Sequence, residues 1–127
     1  MTELADGEPW ADPEAAVAAT APVTMINAYS VPLEQSDRFL RMWRGSSARI
    51  MSEQPGFVRA VMHKTIAGDE LTFVDVAEWR SADALTTARA NPEWREAITT
   101  MLDDPELDVR ARPGRYQVVY YVRPAGE

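Results

Sequence analysis

Asp75 and Trp79 stand four residues apart near the end of a run rich in β-branched and aromatic residues, Leu71 to Trp79. Side chains alternate across a strand, so residues 75 and 79 project from one face. A carboxylate set beside an indole among apolar neighbours costs free energy unless it is bonded or used. Such a carboxylate can take a proton from a bound molecule, and burial would raise its pKa toward a useful range. The bland reading of Asp75 is an aspartate bonded to a neighbouring strand residue or an arginine across the sheet; that of Trp79 is a core indole closing the sheet against a helix. Asn27, in the middle of the alternating run Val23 to Val31, is a second polar residue on an apolar strand and requires a partner or a ligand. His63 is the one histidine. It is read first as a satisfied strand residue and second as a contact to substrate.

The elements that must position these groups follow from periodicity. Phe57 to Ile66 and Leu71 to Trp79 flank Ala67-Gly68-Asp69-Glu70 and form a hairpin. Val23 to Val31, between Pro22 and Pro32, is the first strand. A helix follows, capped by Ser36 and ended by Pro55-Gly56, with Phe39, Leu40, Trp43, Ser47, Ile50 and Met51 on one stripe. Ser81 caps a helix through Ala90, Asn91-Pro92 begins another through about Leu102, and Tyr116 to Val122 is expected as the fourth strand. The order β-α-β-β-α-β predicts an α+β, ferredoxin-like domain: a four-stranded antiparallel sheet with its helices on one face. Met25, Tyr29, Phe73, Val118 and Tyr120 fall on one strand parity. Ile26, Ala28, Met62, Ile66, Val74, Val76, Val119 and Tyr121 fall on the other. Helices can cover only one set, so a second copy packed sheet to sheet, a homodimer, is expected to cover the other.

Composition sets limits. The 127 residues suffice for one domain, placed at residues 21–127, with residues 1–20 read as a mobile acidic tail containing Glu3, Asp6, Glu8, Asp12 and Glu14. A short helix over 13–19, capped by Asp12, is the folded alternative for that tail. A formal charge of −7 without a basic patch argues against a nucleic-acid partner. No apolar stretch reaches membrane-spanning length, and no secretory leader is evident. With no cysteine, the chain has no thiolate ligand, disulfide or thiol nucleophile, and a cytoplasmic location is expected. No phosphate loop, Ser-His-Asp set or metal-spaced ligand cluster is present, so no metal or cofactor is expected.

Pro55-Gly56-Phe57-Val58, the strand end Val74 to Ser81 and Asn91-Pro92-Glu93-Trp94-Arg95 resemble, in order and spacing, the antibiotic biosynthesis monooxygenase family. These are small dimeric α/β-barrel proteins that include cofactor-independent oxygenases of anthrones and relatives that degrade haem. The resemblance covers about residues 22–122 and implies an oxygenase using dioxygen on a hydrophobic aromatic molecule. The family's oxygenases carry an asparagine four residues before the strand-end tryptophan; here that place holds Asp75, which shifts its implied role from hydrogen-bond donor to general base. The resemblance implies that Trp79 stacks on substrate and that Asn27 donates a hydrogen bond to it. Tyr29, Phe73 and Met25 would floor a flat aromatic ligand lying against Phe39 and Trp43, residues that are otherwise plain core; Trp94 and Arg95 are read first as exposed surface residues and second as closing its mouth. Haem-degrading relatives place a tryptophan and an iron-binding histidine where this chain has Ala88 and a residue near Ile98, which weakens a haem reading. A noncatalytic module holding a hydrophobic metabolite is the alternative from another functional class.

Overall fold

The computed structural model describes residues 20–68 and 70–126; the proposed tail helix and most of the acidic segment lie outside them, as do Asp69 and Glu127. In chain order the elements are β1 (Val23–Ser30), α1 (residues 36–52), β2 (Phe57–Lys64), β3 (Thr72–Trp79), α2 (Ala82–Arg89), α3 (Pro92–Leu102) and β4 (Arg110–Tyr116). The strands form one antiparallel sheet in the order β2-β3-β1-β4. This is the ferredoxin-like arrangement anticipated from the element order. No helix among the described residues is long and apolar enough to cross a membrane.

Sequence explains most boundaries. Ser81 caps α2, its Oγ accepting from the Ala84 amide at 3.0 Å. Asn91 caps α3 by accepting from Glu93 and Trp94 at 2.8 and 3.3 Å, with Pro92 at the first helical position. Gly56 ends α1 at φ +84°, and a Cβ there would stand 2.5 Å from the Ala84 Cβ, so α2 approaches as closely as a glycine permits. Gly68 supplies positive φ in the hairpin turn.

Four expectations are corrected. Ser36 is not the cap of α1; a 3₁₀ turn, Leu33–Gln35, precedes the helix, and the Ser36 hydroxyl donates to the Leu33 carbonyl. Helix α1 is not uniform, because Arg44–Ala48 widens into a π-helical turn between Ser36–Trp43 and Arg49–Ser52. The turn preserves the predicted stripe and brings Ser47 under Trp94, whose Nε1 donates to Ser47 Oγ at 2.8 Å.

The fourth strand lies earlier than predicted, at Arg110–Tyr116. Tyr116 already pairs with Thr24 near the start of β1, and Pro22 just beyond has no N–H, so residues 117–122 outrun their template. Val118, Val119, Tyr120, Tyr121 and Val122 are consequently exposed. Pro113-Gly114 reads as a turn but fits here because β4 is an edge strand. Finally, a β-bulge between Phe57 and Arg59 shifts the parity of β2, turning Met62 toward the helices opposite Asp75, while Ile66 lies exposed beyond the strand end.

Strand burial alternates as the period of two requires: Val23, Met25, Asn27 and Tyr29 of β1 and Phe73, Asp75, Ala77 and Trp79 of β3 face the helices. Phe39 lies 5.0 Å from Tyr29 and 5.1 Å from Phe73, ring centre to ring centre, while Trp79 sits between Phe57 and Trp94 at 5.4 and 6.0 Å. Rings packed this closely contribute roughly 1 kcal/mol per pair beyond the area they bury. The opposite sheet face carries Ile26, Ala28, Val74 and Val76, all half-buried, and exposed Val61.

Candidate active site

Asp75 occupies the middle of β3, an interior strand. Directly across stand Asn27 on β1 and Met62 on β2, and along its own strand Phe73 and Ala77 share its face. Only 1% of Asp75 is exposed, and its Oδ1 has no hydrogen-bond partner among the described residues. Among those residues neither a strand neighbour nor an arginine across the sheet bonds Oδ1. Burial pushes the Asp75 carboxyl up to about 6, with the His63 charge acting in the opposite sense.

Asn27 is held by its neighbour two residues on. Its Nδ2 donates to the Tyr29 hydroxyl at 2.8 Å, while its Oδ1 is buried without a partner. Burial, reinforced by the charge of Asp75, pushes the Tyr29 phenol well above its ordinary range, and the nearby Trp43 indole and Arg89 guanidinium act against the rise. Tyr29 therefore stays neutral, a phenol fixed among polar groups. Trp79 Nε1 is the third buried side-chain polar atom without a partner among the described residues. One sheet face thus gathers two unmatched acceptors and one unmatched donor, each a group that normally costs about 1–3 kcal/mol if left so.

The predicted residues divide cleanly. Asn27, Tyr29, Met25, Phe73, Asp75 and Trp79 share the helix-facing side of β1 and β3, with Phe39 and Trp43 of α1 laid over them. His63 does not join them. It pairs with Val74 on the opposite sheet face, is exposed, and holds its Nδ1 3.1 Å from the Val74 carbonyl, which places it apart from the Asp75 cluster, as the strand-residue reading expects. Trp94 is buried, neither on the surface nor at a mouth, because its ring stacks on Trp79 and its Nε1 bonds Ser47, whereas Arg95 is exposed as expected. Ala88 is core, and Ile98 packs against it.

The space expected for a flat ligand is occupied by Phe39 itself. Surface cavities bounded by described residues lie elsewhere: a groove of about 430 Å³ runs between α1 and α3, and another of about 700 Å³ reaches Trp79 beside Thr24, Glu78 and Val118. Neither includes Asp75 in its wall. Among the described residues no three His, Cys, Asp or Glu side chains gather to hold a metal ion. Sequence reasoning missed Met62, which the bulge turns to face Asp75.

The profile of the family described as antibiotic biosynthesis monooxygenase matches residues 22–100, spanning β1 through most of α3. The chain belongs to the antibiotic biosynthesis monooxygenase family. Solved structures carry the same fold. SnoaB, a cofactor-independent oxygenase from Streptomyces nogalater, superposes with a TM-score of 0.65 at 23% identity, over 84% of this chain and 99% of its own. A candidate monooxygenase from Shewanella loihica PV-4 gives 0.64 at 25% identity, over 80% and 97%, and one from Deinococcus radiodurans gives 0.66 at 16%, over 82% and 99%. No curated protein matches the chain significantly. Family membership supports monooxygenase activity in general terms.

Proposed function

We propose that the protein is a cofactor-independent monooxygenase acting on an electron-rich aromatic substrate, a phenol or anthrone of polyketide type, with dioxygen as co-substrate. One observation carries the reading: Asp75 is a carboxylate removed from water, without a cation or hydrogen-bond donor at its Oδ1, and poised to ionise near neutrality. A group in that state gains most by receiving a proton from a bound molecule. In the reaction, Asp75 takes the acidic C–H or O–H proton and the resulting anion passes one electron to dioxygen. Recombination of the radical with superoxide forms a C–O bond, and loss of water from the protonated peroxide leaves a carbonyl. The balance for an anthrone methylene is CH₂ plus O₂ giving C=O plus H₂O. Trp79 and the neighbouring rings exclude water, and Asn27 and Tyr29 hold polar contacts in register with the base.

Binding requires α1 to yield, since Phe39 fills the space over Tyr29 and Phe73. The π-helical turn at Arg44–Ala48 is the weak point of that helix. The apolar sheet face formed by Ile26, Val74, Val76 and Val61 supports a homodimer packed sheet to sheet. The test is an oxygen electrode trace with a dihydroxyanthracene substrate. The parent should consume oxygen and Asp75→Ala should not; equal rates would remove Asp75 as the base. A ligand that stabilises the protein with no oxygen uptake would favour the noncatalytic binding module.

A further inference from the structure

Arg89 ends α2 and turns back onto the sheet. Its Nη1 lies 3.7 Å from the Met25 sulfur, its guanidinium carbon lies 5.8 Å from the centre of the Trp94 ring, and it is half-buried. A thioether and an aromatic face are weak partners for a group with five N–H donors. Arg115 stands close by: it is the β4 residue in register with Met25 and donates to Thr86 Oγ1 of α2 at 2.9 Å. Neither arginine forms an ion pair with a carboxylate of the described residues; what sets the two apart is that both lean from α2 and β4 onto the helix side of the sheet beside Met25. Two cations without a carboxylate partner among the described residues therefore flank Met25.

On β4 the helix-facing side is less covered than on β1 and β3. Pro113, paired with Asn27, and Ala111, paired with Tyr29, project from β4 on the helix side, and Pro113 is exposed. Asn27 keeps 8% of its surface accessible, more than the 1% of Asp75 deeper in the sheet. The more accessible end of the polar pair is thus the Asn27 end, on the β4 side where Pro113 is exposed and where Arg115 also stands. From β4 to β3 is two interstrand spacings, about 10 Å, the length of a three-ring fused aromatic.

We propose that Arg89 and Arg115 form an anion-binding rim, and that the ligand is an aromatic acid whose carboxylate docks on the guanidinium pair while its opposite end reaches Asn27 and Asp75. The proposal rests on the site reading above and adds the charge of the substrate. Guanidinium forks match a carboxylate in a planar, two-pronged way that lysine cannot reproduce.

Isothermal titration with anthraquinone-2-carboxylate and its neutral carboxamide tests the rim without turnover. The parent should bind the acid at least about tenfold more tightly than the amide at low salt, with the preference shrinking as salt is added. In an R89M/R115M double variant the preference should fall to within about twofold while amide affinity stays unchanged. Thermal melts report whether the variant is folded, and R89K/R115K should recover only part of the preference. Equal binding of acid and amide by the parent, no binding of either, or equal loss of both in the double variant would overturn the rim. Acid preference without oxygen uptake from any substrate would leave the rim standing and sink the oxygenase reading instead.

Discussion

Replacing Asp75 with asparagine should stabilise the protein at neutral pH, the reverse of the usual result for a buried polar position. The Asp75 carboxyl titrates at about 6 in the fold against an ordinary value of 3.8. Each unit is worth about 1.4 kcal/mol, so keeping Asp75 ionised costs the native state up to about 3 kcal/mol. Because the folded value is raised, the penalty is absent below the unfolded value, grows as pH rises between the two, and is complete above the folded one. Asparagine has nearly the same shape and no charge, and its amide can donate to the unmatched Asn27 Oδ1. Urea denaturation of parent and Asp75→Asn at several pH values reads the difference directly. The gap should be small at about pH 4 and widen to roughly 2–3 kcal/mol in favour of the variant by about pH 7.5. A variant less stable than the parent at neutral pH, or a gap that does not change with pH, would refute the reasoning.

Oxygen uptake should rise with pH through a midpoint near 6, because only the ionised form of Asp75 can accept a proton; a flat acid limb would exclude it as the base. Ser47→Ala should cost about 1–3 kcal/mol in denaturation, since Trp94 Nε1 is buried and donates to that hydroxyl. Gly56→Ala should cost about 2 kcal/mol or more and lower the melting temperature, because φ +84° and the Ala84 contact both oppose a side chain. Light scattering should give a dimer for the parent at micromolar concentration and a monomer for Val76→Lys; a monomeric parent would contradict the sheet-to-sheet assembly.

The positions where sequence reading succeeded are those governed by local chemistry. Ser81, Asn91-Pro92 and Gly56 mark their boundaries because caps and positive φ are decided within a few residues. The alternation of β1 and β3 placed Asn27, Asp75 and Trp79 on one face for the same reason. Where non-local pairing decides, the sequence was silent. Tyr116 to Val122 has every strand-forming side chain, yet β1 has no backbone left to offer it, and the strand falls instead on Arg110–Tyr116, across a Pro-Gly pair. That displacement also hid Arg115. A single bulge after Phe57 reversed Met62 and settled the side of the sheet on which His63 lies. The packing of Phe39 against Tyr29 and Phe73 is tertiary, so nothing in the helical stripe could tell a filled core from a ligand cleft.

The central claim is that Asp75 is a desolvated carboxylate whose Oδ1 has no donor among the described residues. A ¹³C NMR titration of its side-chain carboxyl, assigned by comparison with Asp75→Asn, measures this most directly. A midpoint near 6 is predicted. An ordinary midpoint near 4 would mean that the carboxylate is satisfied, for instance by the Asn27 amide turned the other way, and would contradict its role as the base.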